Sequence, residues 1–259
     1  MPHPNPDPFG VNFTATLHRR AEGATDPRRI QYPPNFNVLI TGAGKGIGIP
    51  LALAYARAGA SGIVLTSRTK SDLDSLASQI RDVNENIQVI ACVADTTSDD
   101  QMNAVAASIK DAGISHLDVV IANAGIISKY LDQDTPNQHL PVGILEDPSS
   151  SYSSVLDVNV TGAYKTAQVF YPFLFAAPPS SPKAFVAMTS IAAHICESSK
   201  VPVAYCVSKI AVCRLVEMLA ADHGAGEGKE GVCAYAVHPG GVRTKQTEGH
   251  RGEFWEQRE

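Results

Sequence analysis

The sequence predicts an α/β protein built on a doubly wound, Rossmann-like parallel sheet with helices on both faces. From residue 36 onwards, short runs of consecutive apolar residues alternate with stretches of helical periodicity, a pattern typical of strands that are covered on both faces. The first apolar run leads into a cluster of glycines and then an Ala/Leu stretch, which indicates strand, turn and helix. Polar residues or glycines follow every predicted strand, at the sheet edge where such folds bind ligands.

The predicted elements follow the chain in order. Strands are predicted at 36–40, 63–66, 87–93, 117–122, 184–189 and 232–237. Helices are predicted at 51–56, 72–83, 99–110, 151–173 and 205–221. Ser71 is the expected N-cap of the second helix, because a serine hydroxyl accepts hydrogen bonds from the free N–H groups of a first turn.

Residues 1–35 differ from the rest of the chain. Prolines alternate there with polar residues, and apolar side chains are too few to form a core. We therefore expect an extended or disordered tail at 1–35, followed by a single Rossmann-like domain at 36–259.

Composition argues against several functions. The net charge is -5 and the basic residues are scattered, so a nucleic-acid surface is not expected. No apolar run approaches the roughly 18 residues of a membrane span. The five cysteines form no C-x-x-C pair, which is typical of a reducing compartment, and the histidines lack metal-ligand spacing. These features predict a cytoplasmic protein without a metal, nucleic-acid or membrane partner.

The segment 41–48, TGAGKGIG, has the character of a nucleotide turn. Glycines let the backbone approach a ligand closely, and the helix that begins there presents free N–H groups to a phosphate. The spacing is neither G-x-G-x-x-G, which needs glycine at Ile47 or Ile49, nor a P-loop, which needs Ser or Thr at Gly46. An ordinary glycine-rich loop is the alternative. The nucleotide interpretation makes cofactor contacts of Gly42, Lys45, Gly46, Ile47 and Gly48.

Tyr205 and Lys209 are four residues apart and so share one face of a predicted helix. A free phenol has a pKa near 10, and lowering it by about three units takes roughly 4 kcal/mol. A cation about 4 Å away supplies about 4 kcal/mol at an effective dielectric of 20, although burial of the phenolate opposes the change. Ser190 follows the fifth strand, near the same sheet edge. The pair is therefore a candidate for proton transfer, with a solvated surface pair as the alternative.

These motifs together resemble the short-chain dehydrogenase/reductase family, in its compact single-domain branch. The resemblance runs from about residue 36 to 245 and rests on the TGxxxGxG turn, Asn123-Ala124-Gly125, Asn159, Ser190, Tyr205-x-x-x-Lys209 and Pro239-Gly240. It implies an oxidoreductase that reduces a ketone or aldehyde to an alcohol by hydride transfer.

The resemblance also implies a role for each motif residue. Tyr205 would donate a proton to the carbonyl that Ser190 holds. Lys209 would bind the nicotinamide ribose and lower the tyrosine pKa, and Asn159 would anchor a water in the proton relay. The alternative for Asn159 is a buried amide with structural partners. Further cofactor contacts are implied for Asp95 at the adenine, for Val242 and Thr244 at the nicotinamide amide, and for Asn123, Ala124, Gly125, Tyr205, Lys209, Pro239 and Gly240.

The end of the second strand predicts the choice of cofactor. In dinucleotide folds an acidic residue roughly 20 positions beyond the glycines binds the ribose 2′-hydroxyl of NAD. Nineteen positions after Gly48 the chain has Ser67, followed by Arg68, while Lys45 lies inside the glycine turn. Two cations would attract the 2′-phosphate of NADP, so we expect NADP(H). Arg68 pointing into solvent is the alternative.

The end of the sequence departs from the family pattern, because only Gly249 to Glu259 follow the region that contains the Pro239-Gly240 turn. We therefore expect a fold that is shortened at its C-terminal end. A catalytically impaired nucleotide-binding protein is the alternative function. The substrate identity stays open, since its walls would come from 126–150, 191–202 and the shortened end. The helices that carry Asn159 and Tyr205 are expected to pair across a two-fold axis, giving a homo-oligomer, either a dimer or a tetramer.

Overall fold

The computed structural model describes residues 21–128, 130–131, 140–141, 144–145, 148–196, 201–226, 228–229 and 231–247. The strands in these ranges are β1 (Asn37–Ile40), β2 (Gly62–Ser67), β3 (Gln88–Val93), β4 (Val119–Ala122), β5 (Tyr130–Leu131), β6 (Leu140–Pro141), β7 (Ala184–Met188) and β8 (Cys233–Val237). The helices are α1 (Gly48–Arg57), α2 (Lys70–Val83), α3 (Asp99–Asp111), α4 (Ser149–Leu156), α5 (Gly162–Phe175) and α6 (Val203–His223).

Six of the strands form one parallel sheet in the order β3-β2-β1-β4-β7-β8. The order runs outwards in both directions from β1, which is the doubly wound arrangement with a crevice where the direction reverses. The predicted fold class is thereby confirmed. β5 and β6 pair antiparallel in a separate two-stranded sheet within the loop after β4, and the sequence pattern did not predict them.

Two apolar cores cover the two faces of the sheet. Val38 and Ile40 of β1 pack with residues of α1 and α2, while Leu39 between them packs with residues of α3, α5 and α6. This alternation follows from the pleat, since successive side chains of a strand point to opposite faces. All three side chains are fully buried, which explains why the strand reads as a continuous apolar run.

Two helix predictions are corrected by the structure. The helix predicted at 72–83 begins at Lys70, and its N-cap is Thr69 in an extended conformation, without a side-chain hydrogen bond. Ser71 is therefore inside the helix, and the prediction that it is the cap was wrong. The helix predicted at 151–173 is interrupted by a π-helical turn at Asp157–Thr161. Such turns occur frequently at functional sites, and this one carries Asn159.

Residues 21–35 form the described part of the predicted tail. The ring of Tyr32 stacks on Phe36 with centroids 3.9 Å apart, and the Tyr32 N–H donates to the carbonyl of Ala58. The Asn35 N–H donates to Ser61 Oγ at 2.8 Å. This segment thus lies against the end of α1 and the start of β2. Residues 1–20 lie outside the described ranges, and the domain boundary at residue 35 remains a prediction.

Candidate active site

The turn between β1 and α1 requires glycine for steric reasons. Gly42 and Gly46 have φ angles of +62° and +56°, a left-handed conformation that costs other residues roughly 1–2 kcal/mol. A Cβ at Gly42 would lie 2.7 Å from the Cα of Ala124, and a Cβ at Gly48 would lie 2.6 Å from the carbonyl oxygen of Gly42. The backbone is therefore tightly folded where α1 begins, and the free N–H groups of that first turn suit a phosphate.

The tripeptide Asn123-Ala124-Gly125, which follows β4, is hydrogen-bonded to this turn. Nδ2 of Asn123 donates to the carbonyl oxygens of Thr41 at 2.9 Å and Gly42 at 3.1 Å. In return, Oγ1 of Thr41 accepts hydrogen bonds from the backbone N–H groups of Asn123 and Ala124, both at 3.1 Å. These bonds fix the glycine turn against the end of the neighbouring strand and leave Asn123-Ala124-Gly125 beside it.

The end of β2 holds the predicted cations together with a carboxylate. Nζ of Lys45 lies 3.2 Å from Oδ2 of Asp72, with the lysine side chain 63% exposed and the aspartate side chain 26% exposed. Asp72 belongs to the first turn of α2, five positions beyond Ser67, and sequence reasoning missed it because it looked for a carboxylate only at the strand end. The signal that could have found it is the position of Asp72 in the first turn of the helix that follows β2, because that helix begins at the sheet edge where the glycine turn lies.

Asp95 follows β3 and is held by hydrogen bonds. Its Oδ1 accepts from the backbone N–H of Thr97 at 2.9 Å and from the Thr97 hydroxyl at 2.8 Å. The backbone hydrogen bond and, to a lesser degree, the hydroxyl and the charge of Arg68 lower the pKa of Asp95. Asp95 is therefore an anion at neutral pH.

Tyr205 lies in the first turn of α6, close to the side chain of Ser190. Ser190 follows β7, and its Oγ accepts from the backbone N–H of Ala192 at 3.2 Å. Burial raises the pKa of Tyr205, and the influence of the Ser190 hydroxyl lowers it by less. The net direction is opposite to the lowering that the family resemblance implies, because desolvation of the phenolate outweighs the attractive contributions.

Lys209 lies one helical turn after Tyr205, with its Nζ 5.4 Å from the centre of the tyrosine ring. The ammonium donates to the carbonyl oxygen of Met188 at 2.8 Å, and a Cβ on Gly125 would lie 3.5 Å from it. Burial lowers the pKa of Lys209 to about 8. The lysine is thus mainly cationic at neutral pH, between the ends of β4 and β7.

Asn159 is 2% exposed and has structural partners. Its Oδ1 accepts from the N–H of Ile126 at 2.8 Å, while Nδ2 donates to the Ile126 carbonyl and to Ser208 Oγ, both at 2.9 Å. Both amide donors are therefore occupied. The side chain ties the π-helical turn to the loop after β4 and to α6, as in the structural alternative. The predicted role in a proton relay remains a prediction.

The end of the described chain lies over the glycine turn. A Cβ on Gly46 would be 3.3 Å from Cγ2 of Thr244. The Thr244 N–H donates to Oγ1 of Thr247 at 2.8 Å, and that hydroxyl donates to the carbonyl of Val242 at 3.1 Å. The predicted substrate walls fall partly outside the described residues, at 129, 132–139, 142–143, 146–147, 197–200 and 248–259.

A cavity of about 310 Å³ connects these groups along the carboxyl edge of the sheet. Most predicted site residues line it: Gly42, Lys45, Gly46, Ile47, Ser67, Arg68, Asp95, Asn123, Ala124, Gly125, Tyr205, Lys209, Pro239 and Thr244. Five predicted residues do not line it, namely Gly48, Asn159, Ser190, Gly240 and Val242.

Sequence reasoning missed seven lining residues, Ala94, Thr96, Val158, Met188, Thr189, Lys245 and Gln246, while Ile126 belongs to the predicted pocket wall 126–150. Ala94, Thr96, Met188 and Thr189 lie at or just beyond strand ends, so the strand register could have indicated them. Lys245 and Gln246 follow Thr244 in a single 3₁₀ turn, for which the sequence carries no evident signal.

The described residues fit a dinucleotide. Glycines line part of the cavity, where a Cβ on Gly42 would collide with neighbouring backbone. The Tyr205 hydroxyl and the buried cation Lys209 belong to the lining of the same cavity. The doubly wound sheet, the glycine turn and this cavity define an α/β protein of the dinucleotide-binding class.

Comparison with known proteins identifies the family. Residues 37–253 match the sequence model described as short chain dehydrogenase, and the chain belongs to this family. It is 30% identical over 249 residues to the short chain dehydrogenase pgmD of Aspergillus terreus, covering 92% of this chain and 74% of the relative. The predicted resemblance is therefore confirmed. The protein is an oxidoreductase of a family that binds a nicotinamide cofactor and acts on small molecules.

Solved structures show the same fold. A short-chain type dehydrogenase/reductase from Mycobacterium marinum is 26% identical, with a TM-score of 0.73 over 90% of this chain and 82% of that chain. Neighbours under 25% identical were solved with NADP in some cases and with NAD in others, so the comparisons leave the choice of cofactor open. Within the described ranges, none of the helices combines the length and apolar character that a bilayer crossing needs.

Proposed function

We propose that the protein is an NADP-dependent reductase of a ketone or aldehyde, with Tyr205 as the proton donor. The observation that carries the proposal is that Tyr205 and Lys209 line the same cavity as the glycine turn, with Ser190 close to Tyr205. A bound nicotinamide would supply the hydride. The residues of the chain have to bind the carbonyl, orient it and deliver one proton.

Tyr205 is protonated at neutral pH because burial raises its pKa, so it is competent to act as an acid. A carbonyl oxygen between Tyr205 and Ser190 would accept hydrogen bonds from both hydroxyls. Negative charge that develops on this oxygen during reduction draws the phenol proton, which ends on the alcohol product. The phenolate that remains is stabilised by the Lys209 ammonium. Asn159 supports this end of the site, and its predicted contact with a relay water belongs to the same proposal.

The cofactor contacts divide between the two ends of the cavity. At the adenosine end, Asp95 would contact the adenine, while Ser67, Arg68 and Lys45 favour a 2′-phosphate because none of them is acidic. The pyrophosphate would lie on the turn formed by Gly42, Gly46, Ile47 and Gly48. Asn123, Ala124, Gly125 and Lys209 would contact the nicotinamide ribose, and Pro239, Gly240, Val242 and Thr244 would contact the nicotinamide amide.

The test is Tyr205→Phe, which keeps the ring and removes the hydroxyl. Oxidation of NADPH with a panel of ketones and aldehydes should fall by about 10²–10⁴-fold, the usual contribution of a general acid. The Kd for NADPH, measured by fluorescence titration, should stay within about threefold. Tyr164→Phe, at a half-exposed position of α5, is the matched control and should keep full activity. Unchanged turnover in Tyr205→Phe would refute the mechanism.

A nucleotide-binding protein without catalytic activity is the second candidate. The observation that favours it is the hydrogen bond from the Lys209 ammonium to the carbonyl of Met188, which occupies one of the three donors that the lysine could offer to a cofactor. Tight binding of NADPH by wild type, with no NADPH oxidation across the whole carbonyl panel, would support this candidate over the reductase.

A homo-oligomer and a cytoplasmic location belong to the same proposal. Half-exposed apolar side chains on α5 and α6, such as Tyr164, Ile210 and Met218, support pairing of these helices in a dimer or tetramer, and a monomeric mass by light scattering would contradict it. All five cysteines are free, which fits a reducing compartment; cell fractionation tests the location.

A further inference from the structure

Asp72 lies behind the glycine turn, at the junction between β2 and α2. A Cβ on Gly44 would be 2.8 Å from the Cβ of Asp72 and 3.0 Å from Oγ of Ser67, so the Asp72 side chain packs against the turn close to the strand end. Its Oδ2 is buried and has no hydrogen-bond partner among the described residues. Nζ of Lys45, 3.2 Å away, is the cation that this oxygen faces.

Lys45 also borders the cavity that would hold the cofactor. Its side chain lines the cavity together with Ser67 and Arg68, where the 2′-phosphate of NADP would bind. The two cations at this end, Lys45 and Arg68, are matched by two carboxylates, Asp72 and Asp95. This end of the cavity therefore carries no net positive charge from these four side chains, in contrast to the pair of unopposed cations that the sequence predicted.

We propose that Asp72 limits the preference for NADP over NAD, because its carboxylate competes with the 2′-phosphate for Lys45. This inference rests on the proposed NADP-dependent function. Asp72 does not line the cavity, so it acts through Lys45 and is a positioning residue. NAD carries a hydroxyl at this position and does not compete for the lysine, so the influence of Asp72 falls on NADP alone.

The direction of the effect follows from the relative size of two contributions. Asp72 also restrains the Lys45 side chain, but an ion pair with a largely exposed lysine contributes little. Removal of one negative charge close to a doubly charged phosphate favours the phosphate, and this effect weakens with distance and with exposure to solvent. Loss of the carboxylate should therefore strengthen NADPH binding.

The experiment measures Kd for NADPH and NADH by fluorescence titration on the full chain and on Asp72→Asn. The Kd for NADPH should fall about five- to tenfold, the order expected for one unit charge acting on a doubly charged group at a partly exposed site. The Kd for NADH should stay within about twofold, and the gain for NADPH should shrink at high salt. Asp72→Glu, which keeps the charge, should remain close to wild type.

Two variants separate competition for Lys45 from other causes. Asp74→Asn makes the same charge change on α2, but Asp74 pairs with Lys70 at 2.7 Å and is 58% exposed, so NADPH binding should not change. In a Lys45→Met background, Asp72→Asn should give a much smaller gain than in wild type. An unchanged or higher Kd for NADPH in Asp72→Asn, or an equal gain for NADH, would overturn the inference.

The proposed function fails in a different way. A wild-type protein that binds NADH more tightly than NADPH contradicts the NADP assignment, while the response of NADPH binding to Asp72→Asn still decides the inference. A wild-type protein that binds neither cofactor overturns both.

Discussion

Gly42 and Gly113 form a matched pair that tests how closely the nucleotide turn is packed. Both have positive φ angles, +62° and +79°, so alanine meets the same backbone penalty at either position. A Cβ on Gly113 meets nothing within 4 Å, whereas a Cβ on Gly42 lies 2.7 Å from the Cα and 3.1 Å from the N of Ala124. The difference between Gly42→Ala and Gly113→Ala therefore isolates the steric contact.

The magnitudes can be estimated from these contacts. Gly113→Ala should cost about 1 kcal/mol, because a left-handed alanine costs roughly 1–2 kcal/mol and restriction of the unfolded chain returns part of that. Gly42→Ala adds a collision with backbone that Thr41 holds by hydrogen bonds, and overpacking of this kind costs a further 1–3 kcal/mol. For a chain of this size, 1 kcal/mol lowers Tm by roughly 2–4 °C. We expect losses of about 2–4 °C for Gly113→Ala and about 4–16 °C for Gly42→Ala.

Thermal and urea unfolding of both variants measure this difference, and NADPH titration adds a second readout. Gly42 lines the cavity, so its variant should also bind NADPH more weakly, while Gly113 follows α3 and its variant should bind normally. Equal losses of stability in the two variants would refute the steric argument, as would a Gly42→Ala protein as stable as wild type.

Two further predictions concern charge. Wild type should use NADPH with a kcat/KM about ten- to hundredfold above that for NADH, and Ser67→Asp/Arg68→Ala should lose or reverse this ratio; equal use of both cofactors by wild type would falsify the assignment. Burial lowers the pKa of Lys209 from 10.5 to about 8. Between about pH 8 and pH 10.5 the unfolded chain therefore binds more protons than the folded protein, so the free energy of unfolding rises with pH. Relative to Lys209→Met, this gain in wild type amounts to up to about 3 kcal/mol. Urea unfolding of both proteins at pH 7.5 and 9.5 measures this gain, and a constant difference would contradict it.

The main sheet was predictable because its strands carry a local signal. A strand covered on both faces reads as an unbroken apolar run, and β1 and β7 were found within one residue of their observed ends. β5 and β6 have two residues each, too few to show any periodicity. The π-helical turn at Asp157–Thr161 adds one residue per turn without changing composition, so an apolar pattern cannot reveal it.

The candidate site was predictable where a residue follows directly after a strand. It was not predictable where a contact depends on the orientation of a helix relative to the sheet. The glycine spacing and the four-residue interval between Tyr205 and Lys209 are local features, because each depends on the conformation of a single turn of the backbone. Asp72 was placed inside a predicted helix, but its contact with Lys45 depends on how α2 packs beside the glycine turn, which the sequence pattern does not report.

Burial of Tyr205 and Lys209 affects the energetics of proton transfer at this site. Burial raises the pKa of Tyr205 and lowers that of Lys209, so each isolated charge is disfavoured. The same low dielectric strengthens the attraction between two opposite charges. Proton transfer from Tyr205 would leave a phenolate one helical turn from the Lys209 ammonium. Burial disfavours each of these charges alone, but it strengthens the attraction between the two. In the proposed mechanism Lys209 would therefore act after the proton has moved rather than before, and a lowered tyrosine pKa in the resting protein would not be required.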